Sequence, residues 1–128
     1  MIKAYVTCIS TMYEGEDIEI RYSIFRDEEL LEKKFFFAKY TKPALCNLVA
    51  VEKLLEDLEV YREEEIEIVV NDGFLFEILN GTSQTKKQDV QRLGGKLRKV
   101  MASFDAIRVE NVSGDHLKIK EWDEILTK

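Results

Sequence analysis

The sequence predicts a mixed α/β domain, with one five-stranded mixed sheet in the spatial order 3-2-1-4-5 and flanking helices. Three patterns carry this expectation. Three β-patterned runs precede the first helical stretch, the long amphipathic stretch from Thr41 leads through an acidic turn into the β-branched run Ile66 to Val70, and a second helix and strand follow. A right-handed crossover after strand three lays strand four beside strand one, which fixes the order. The 128 residues, 45% hydrophobic, fit one domain spanning 1–128 with a sizeable core.

Each element has its own signal. Ile2 to Ser10 places Ile2, Ala4, Val6 and Cys8 on one face and Tyr5 and Ile9 on the other, as a central strand covered on both sides requires. A turn at Glu14, Gly15, Glu16 and Asp17 leads to Ile18, Ile20, Tyr22 and Ile24, which alternate with Glu19, Arg21 and Ser23 in a half-buried strand. After a turn at Arg26 to Glu29, a third strand is expected from Leu31 to Tyr40, with Phe35, Phe36 and Phe37 assigned to the core. Thr41 is placed to cap the next helix and Pro43 suits its first turn, while Leu45, Leu48, Val51, Leu55 and Leu58 mark the buried face. Phe74 to Leu79 reads as a short helix stopped by Asn80 and Gly81. From Lys86 to Phe104 the residues Val90, Leu93, Leu97, Val100, Met101 and Phe104 recur at helical spacing despite Gly94 and Gly95, whose presence a kink or a close contact explains equally well. Ala106 to Val112 is a fifth strand, and the conformation of 117–128 stays open between strand and helix.

Composition narrows the function classes. The net charge of −6, from 25 acids and 19 bases, argues against a surface that grips phosphate backbones everywhere. Acid gathers between Glu52 and Glu67; base gathers in Lys86, Lys87, Arg92, Lys96, Arg98 and Lys99, the candidate anion-binding surface. Cys8 and Cys46 fall within apolar periodic segments and read as free thiols. No long apolar run or leader pattern is present, so a cytoplasmic location without membrane contact is expected. His116 lies in a polar turn, serines and threonines lack a partner base at a usable spacing, and LGGKLRK lacks the phosphate-loop pattern.

The element order, the passage IEIVVNDGFLFEILNG and the stretch KLRKVMASFDAIRVENVSGD…KEWDEIL resemble the ribonuclease H-like fold over nearly the whole chain. That resemblance implies a carboxylate cluster holding two Mg²⁺ about 4 Å apart to cleave the RNA of hybrids. It also implies where the acids would fall. The first-strand Asp falls on Cys8, the helix Glu on Asn47, the fourth-strand Asp on Asn71 with Asp72 adjacent, and the final Asp on Asp123. A thiol and two amides are poor substitutes for carboxylates toward a hard cation, and Asp72 reads as a turn or cap residue. The first expectation is therefore a non-catalytic domain without a cofactor that acts by binding, with RNA or DNA held weakly through the basic 86–99 helix. The resemblance leaves two alternatives: a protein-interaction or self-associating module that uses the acidic and basic helices, and a divergent nuclease using Mg²⁺ or Mn²⁺ on Asp72, Asp123 and Glu121.

Overall fold

A computed structural model describes every residue other than Met12, Glu14 and Lys128. The chain runs β1 (Ile2–Ile9), β2 (Ile18–Arg26), β3 (Glu29–Ala38), α1 (Pro43–Leu58), a 3₁₀ turn (Glu59–Tyr61), β4 (Glu65–Val70), α2 (Gly73–Asn80), α3 (Gln88–Ala102), β5 (Ala106–Asn111) and α4 (His116–Leu126). The five strands form one sheet in the order β3-β2-β1-β4-β5. The first three make an antiparallel meander, whereas β4 lies parallel to both β1 and β5, with Ile2 opposite Ile66 and Val70 opposite Asn111. The order is the one that right-handed crossover predicts.

Strand alternation sorts the core into two layers. Ile2, Ala4, Val6, Ile20, Tyr22, Ile24, Ile66, Ile68 and Val70 face α1 and meet Leu48, Val51, Leu54 and Leu58. Each fully buried Val, Leu or Ile among them contributes about 1.5–3 kcal/mol. On the opposite face Tyr5, Val69 and Val112 pack with Leu126, Trp122, Ile119 and Ile125 of α4. The open end of the sequence reading is thus a helix, capped by the Asp115 side chain, which accepts from the Lys118 N–H; Lys128 and the Glu14 part of the expected turn lie outside the described residues.

Several sequence expectations need correction. Lys42, not Thr41, occupies the position before α1, and no side chain caps that helix. Pro43 explains the shift, because its ring forces the preceding residue into extended backbone, and Lys42 has ψ 140°. Phe36 does join the core, edge-to-face with Tyr22 at 6.1 Å, but Phe35 and Phe37 are 52% and 65% exposed. They point to the other face of an edge strand, beyond the part of the sheet that α4 covers. Glu19 and Ser23, which alternation had assigned to solvent, are buried. Glu19 is held there by the Arg21 guanidinium at 2.7 Å, and Arg21 also donates to the Leu126 carbonyl.

Gly94 and Gly95 resolve into different roles. A Cβ on Gly94 would stand 2.6 Å from Cγ2 of buried Ile78 in α2, whereas one on Gly95 would meet nothing nearer than 3.8 Å. Close helix packing, rather than a kink, therefore accounts for the first glycine. Gly94→Ala is expected to lower stability by about 1–3 kcal/mol through overpacking, despite the helix propensity it gains. Gly95→Ala is expected to raise stability by about 0.5–1 kcal/mol, and urea denaturation of the two variants reads the opposite signs.

A polar cluster fastens α1 to β2 and β3. The Tyr22 hydroxyl donates to Asp57 Oδ2, and Lys34 Nζ lies 2.8 Å from the same oxygen. Burial pushes the Tyr22 hydroxyl above its usual range, and the Asp57 hydrogen bond adds to this. Burial by itself raises Asp57, but hydrogen bonds from Lys34 and Tyr22 outweigh it and hold the carboxyl below its ordinary 3.8. A lowered folded value gives stability that is present above the unfolded pKa and lost as pH falls through the folded one. Asp57→Asn is accordingly expected to flatten the fall in melting temperature below about pH 4.

Candidate functional site

The carboxyl ends of β1, β4 and β5 gather a polar group at one edge of the sheet. Asn47, in the second turn of α1, accepts the Cys8 N–H at Oδ1 (3.1 Å) and donates from Nδ2 to Asp72 Oδ2 (2.8 Å). Asp72 Oδ1 accepts from the N–H groups of Phe74 and Leu75, which caps α2, and the Asp72 N–H donates to Asn111 Oδ1 at 3.2 Å. Asn111 also accepts from the Ser113 N–H. One chain of hydrogen bonds therefore ties β1, α1, α2 and β5 together. Asn71 stands half-buried at the bend before Asp72 and is not part of this hydrogen-bonded group.

Geometry decides what this group can bind. Asp72 has both oxygens committed, Asn47 offers a neutral amide, and burial, followed by the neighbouring Cys46 thiol, pushes Cys8 up to about 12, so that it stays protonated at neutral pH. Mg²⁺ takes anionic oxygens in near-octahedral arrangement, and this donor set does not fit it. The remaining acids lie elsewhere. Asp123 is exposed on α4, its carbonyl accepting from Thr127 Oγ1, and Glu121 accepts the Tyr5 hydroxyl on the α4 face of the sheet. Among the described residues, no group of three or more His, Cys, Asp or Glu is arranged to hold a metal ion.

The basic residues divide as well. Arg98 donates from Nη1 to the Ile78 carbonyl at 2.6 Å, and Lys96 Nζ lies 2.8 Å from Glu52 Oε2 on α1. That hydrogen bond and charge raise Lys96 above its ordinary value. The acidic and basic helices consequently pack on each other, which uses part of their complementarity within one chain. Lys86 and Lys99 are exposed at the two ends of the segment.

Lys87 and Arg92 do converge. With Lys42, Pro43 and Ala44 of the α1 start, and with Gln88 and Asp89, they line a cleft of about 730 Å³. Asp89 lies 3.4 Å from Lys42 Nζ, and it is held below its ordinary value first by the Val90 N–H and then by Lys42. Among the described residues no side chain caps α1, whereas Asp89 Oδ1 accepts the Val90 N–H in the first turn of α3. The uncapped start of α1 therefore adds positive potential to a cleft that already carries three cations against one acid. Lys42 was missed in the sequence because it lies far from the basic run and meets it only through the packing of α1 on α3. Asn111 was missed because nothing local marks a strand-end asparagine as the acceptor for the N–H of a residue in another loop.

No protein-family model matches this sequence, and no match was found among curated proteins. Solved structures do match. The ribonuclease H1 of the halophilic archaeon Halobacterium salinarum NRC-1 superposes with a TM-score of 0.79 at 14% identity, covering 91% of this chain and 89% of its own. LC11-RNase H1, isolated from compost by a metagenomic approach, gives 0.80 at 15% identity over 98% of this chain and 91% of its own. The same enzyme in complex with an RNA/DNA hybrid gives 0.78 at 15% identity over 98% and 94%. The fold is ribonuclease H-like. No helix among the described residues is long and apolar enough to cross a membrane.

Proposed function

We propose that this chain is a non-catalytic ribonuclease H-like domain that binds nucleic acid weakly through its phosphates. One observation carries the reading: Lys42, Lys87 and Arg92 converge at two helix starts in an open cleft, while the sheet edge where metal would work is closed by amide hydrogen bonds. The complex of LC11-RNase H1 with an RNA/DNA hybrid supports a duplex of that kind as the ligand to try first. Net charge −6 opposes binding at long range, so affinity is modest and falls steeply with salt. The nuclease alternative is weakened because both Asp72 oxygens are already engaged in hydrogen bonds.

The test is a titration of end-labelled RNA/DNA hybrid, duplex DNA and single-stranded RNA at two salt concentrations, with and without Mn²⁺. Saturable binding that weakens with salt, with the hybrid left intact, is the expected result. Cleavage overturns the non-catalytic part of the proposal, and absence of binding at the lower salt overturns the binding part.

A further inference from the structure

Further along the same two helices, away from the basic cleft, α1 and α3 part to leave a groove of about 370 Å³. Its floor is apolar, made by buried Leu55 and Leu97 with half-buried Val100. One wall carries Glu52 and Glu56 of α1 and Glu59 at the start of the 3₁₀ turn, spaced so that they lie along one helical stripe.

The charges on the wall are unevenly satisfied. Glu52 pairs with Lys96 and Glu59 with Arg62, both at the surface, whereas no ion pair holds Glu56 among the described residues. Surface pairs of this kind contribute about 0–1 kcal/mol, so a competing cation displaces them readily. Lys96, whose side chain is 66% exposed, is then free to swing clear of the floor. The volume lies at the low end of the roughly 300–1,000 Å³ typical of ligand pockets. It is, however, open and lies between two helices, the setting in which an amphipathic helix docks with its apolar face inward.

We infer that the α1–α3 groove is a docking site for a basic amphipathic helix of a partner protein, whose aliphatic side chains enter between Leu55, Leu97 and Val100 and whose lysines or arginines meet Glu56 and Glu59. The groove begins nine residues along α1 from Pro43, or about 13 Å at helical rise, so it and the phosphate cleft are separate places on the same two helices. Charge selects the partner: an acidic helix meets the glutamate wall with repulsion, and an uncharged one leaves Glu56 covered and unsatisfied.

The probe is a synthetic helical peptide of about 18 residues, with leucines at the i, i+3, i+4 and i+7 positions and lysines elsewhere, titrated into the full chain with methyl labels on leucine and valine. Shifts confined to Leu55, Leu97 and Val100 are expected, and the same peptide with glutamate for lysine should give none. Reversing the wall in the double variant Glu56→Lys, Glu59→Lys should weaken binding about tenfold or more, while Asp17→Lys, Glu124→Lys, with the same change in net charge, should leave it unaltered. Equal weakening in both double variants assigns the binding to bulk charge and overturns the site. Shifts elsewhere, or a peptide-independent dimer that buries these methyl groups, overturn it as well.

Discussion

Charge reversal in the cleft, Lys42→Glu with Lys87→Glu and Arg92→Glu, is expected to abolish binding of an RNA/DNA hybrid near 0.1 M salt. Three phosphate contacts release about 2.7 counterions, since the dependence on salt has a slope of about −0.9 per contact on duplexes. Their loss alone accounts for at least about a hundredfold at that salt, and the introduced carboxylates repel the backbone in addition. Folding should be little affected, because among the described residues the one ion pair removed is the exposed contact of Lys42 with Asp89. The informative comparison is Lys96→Glu with Lys99→Glu, which changes the other end of the same helix. Lys96 is already paired with Glu52, so this variant should keep most of the affinity. An equal loss from both variants would place binding along the whole helix and remove the cleft from the proposal.

The second large effect belongs to the closed sheet edge. Asn47→Glu replaces the amide that donates to Asp72 with a carboxylate facing it at the same distance, 2.8 Å. Loss of a hydrogen bond to a charged group costs about 1.5–3 kcal/mol, and like-charge repulsion adds to it. A domain of this length should melt roughly 5–10 °C lower. Adding Cys8→Asp completes a three-carboxylate group with Asp72 and should lower the melting temperature again. Mn²⁺ then has differential affinity for the folded variant and should restore several degrees, since a ligand at about ten times its Kd contributes about 1.4 kcal/mol. Wild type should not respond. If the double variant also fails to respond to the ion, the three side chains do not form a common anionic cluster, and the likeness at this edge is one of backbone alone.

Much of the architecture was legible in the sequence because local signals agreed with the global one. The β-branched run Ile66 to Val70 after an amphipathic helix demanded a parallel strand, and crossover handedness then placed it beside β1. The capping role of Asp72 was legible for the same reason, since a polar residue between a strand and an apolar helical turn has few other uses. What escaped depends on contacts between distant segments. Arg98 looks like an exposed helix cation in the sequence, yet its guanidinium reaches the Ile78 carbonyl because Gly94 lets α2 approach. The three consecutive phenylalanines look like core, and which of them are inside depends on how far α4 extends over the sheet. Lys42 joins the cleft only through helix packing, which no periodicity encodes.

The exposed margin of the sheet has a consequence for behaviour at high concentration. β3 is a ten-residue edge strand, and edges of this length offer a template on which other chains add by backbone pairing, above all where aromatic side chains such as Phe35 and Phe37 stand beside the open N–H and C=O row. Lys33 and Lys34 occupy the middle of that edge, tethered to the Thr127 carbonyl and to Asp57, so an incoming strand must bury or displace two ammonium groups. These lysines act as gatekeepers against aggregation, a role that leaves little trace in folding stability and becomes visible when the protein is crowded or partly unfolded.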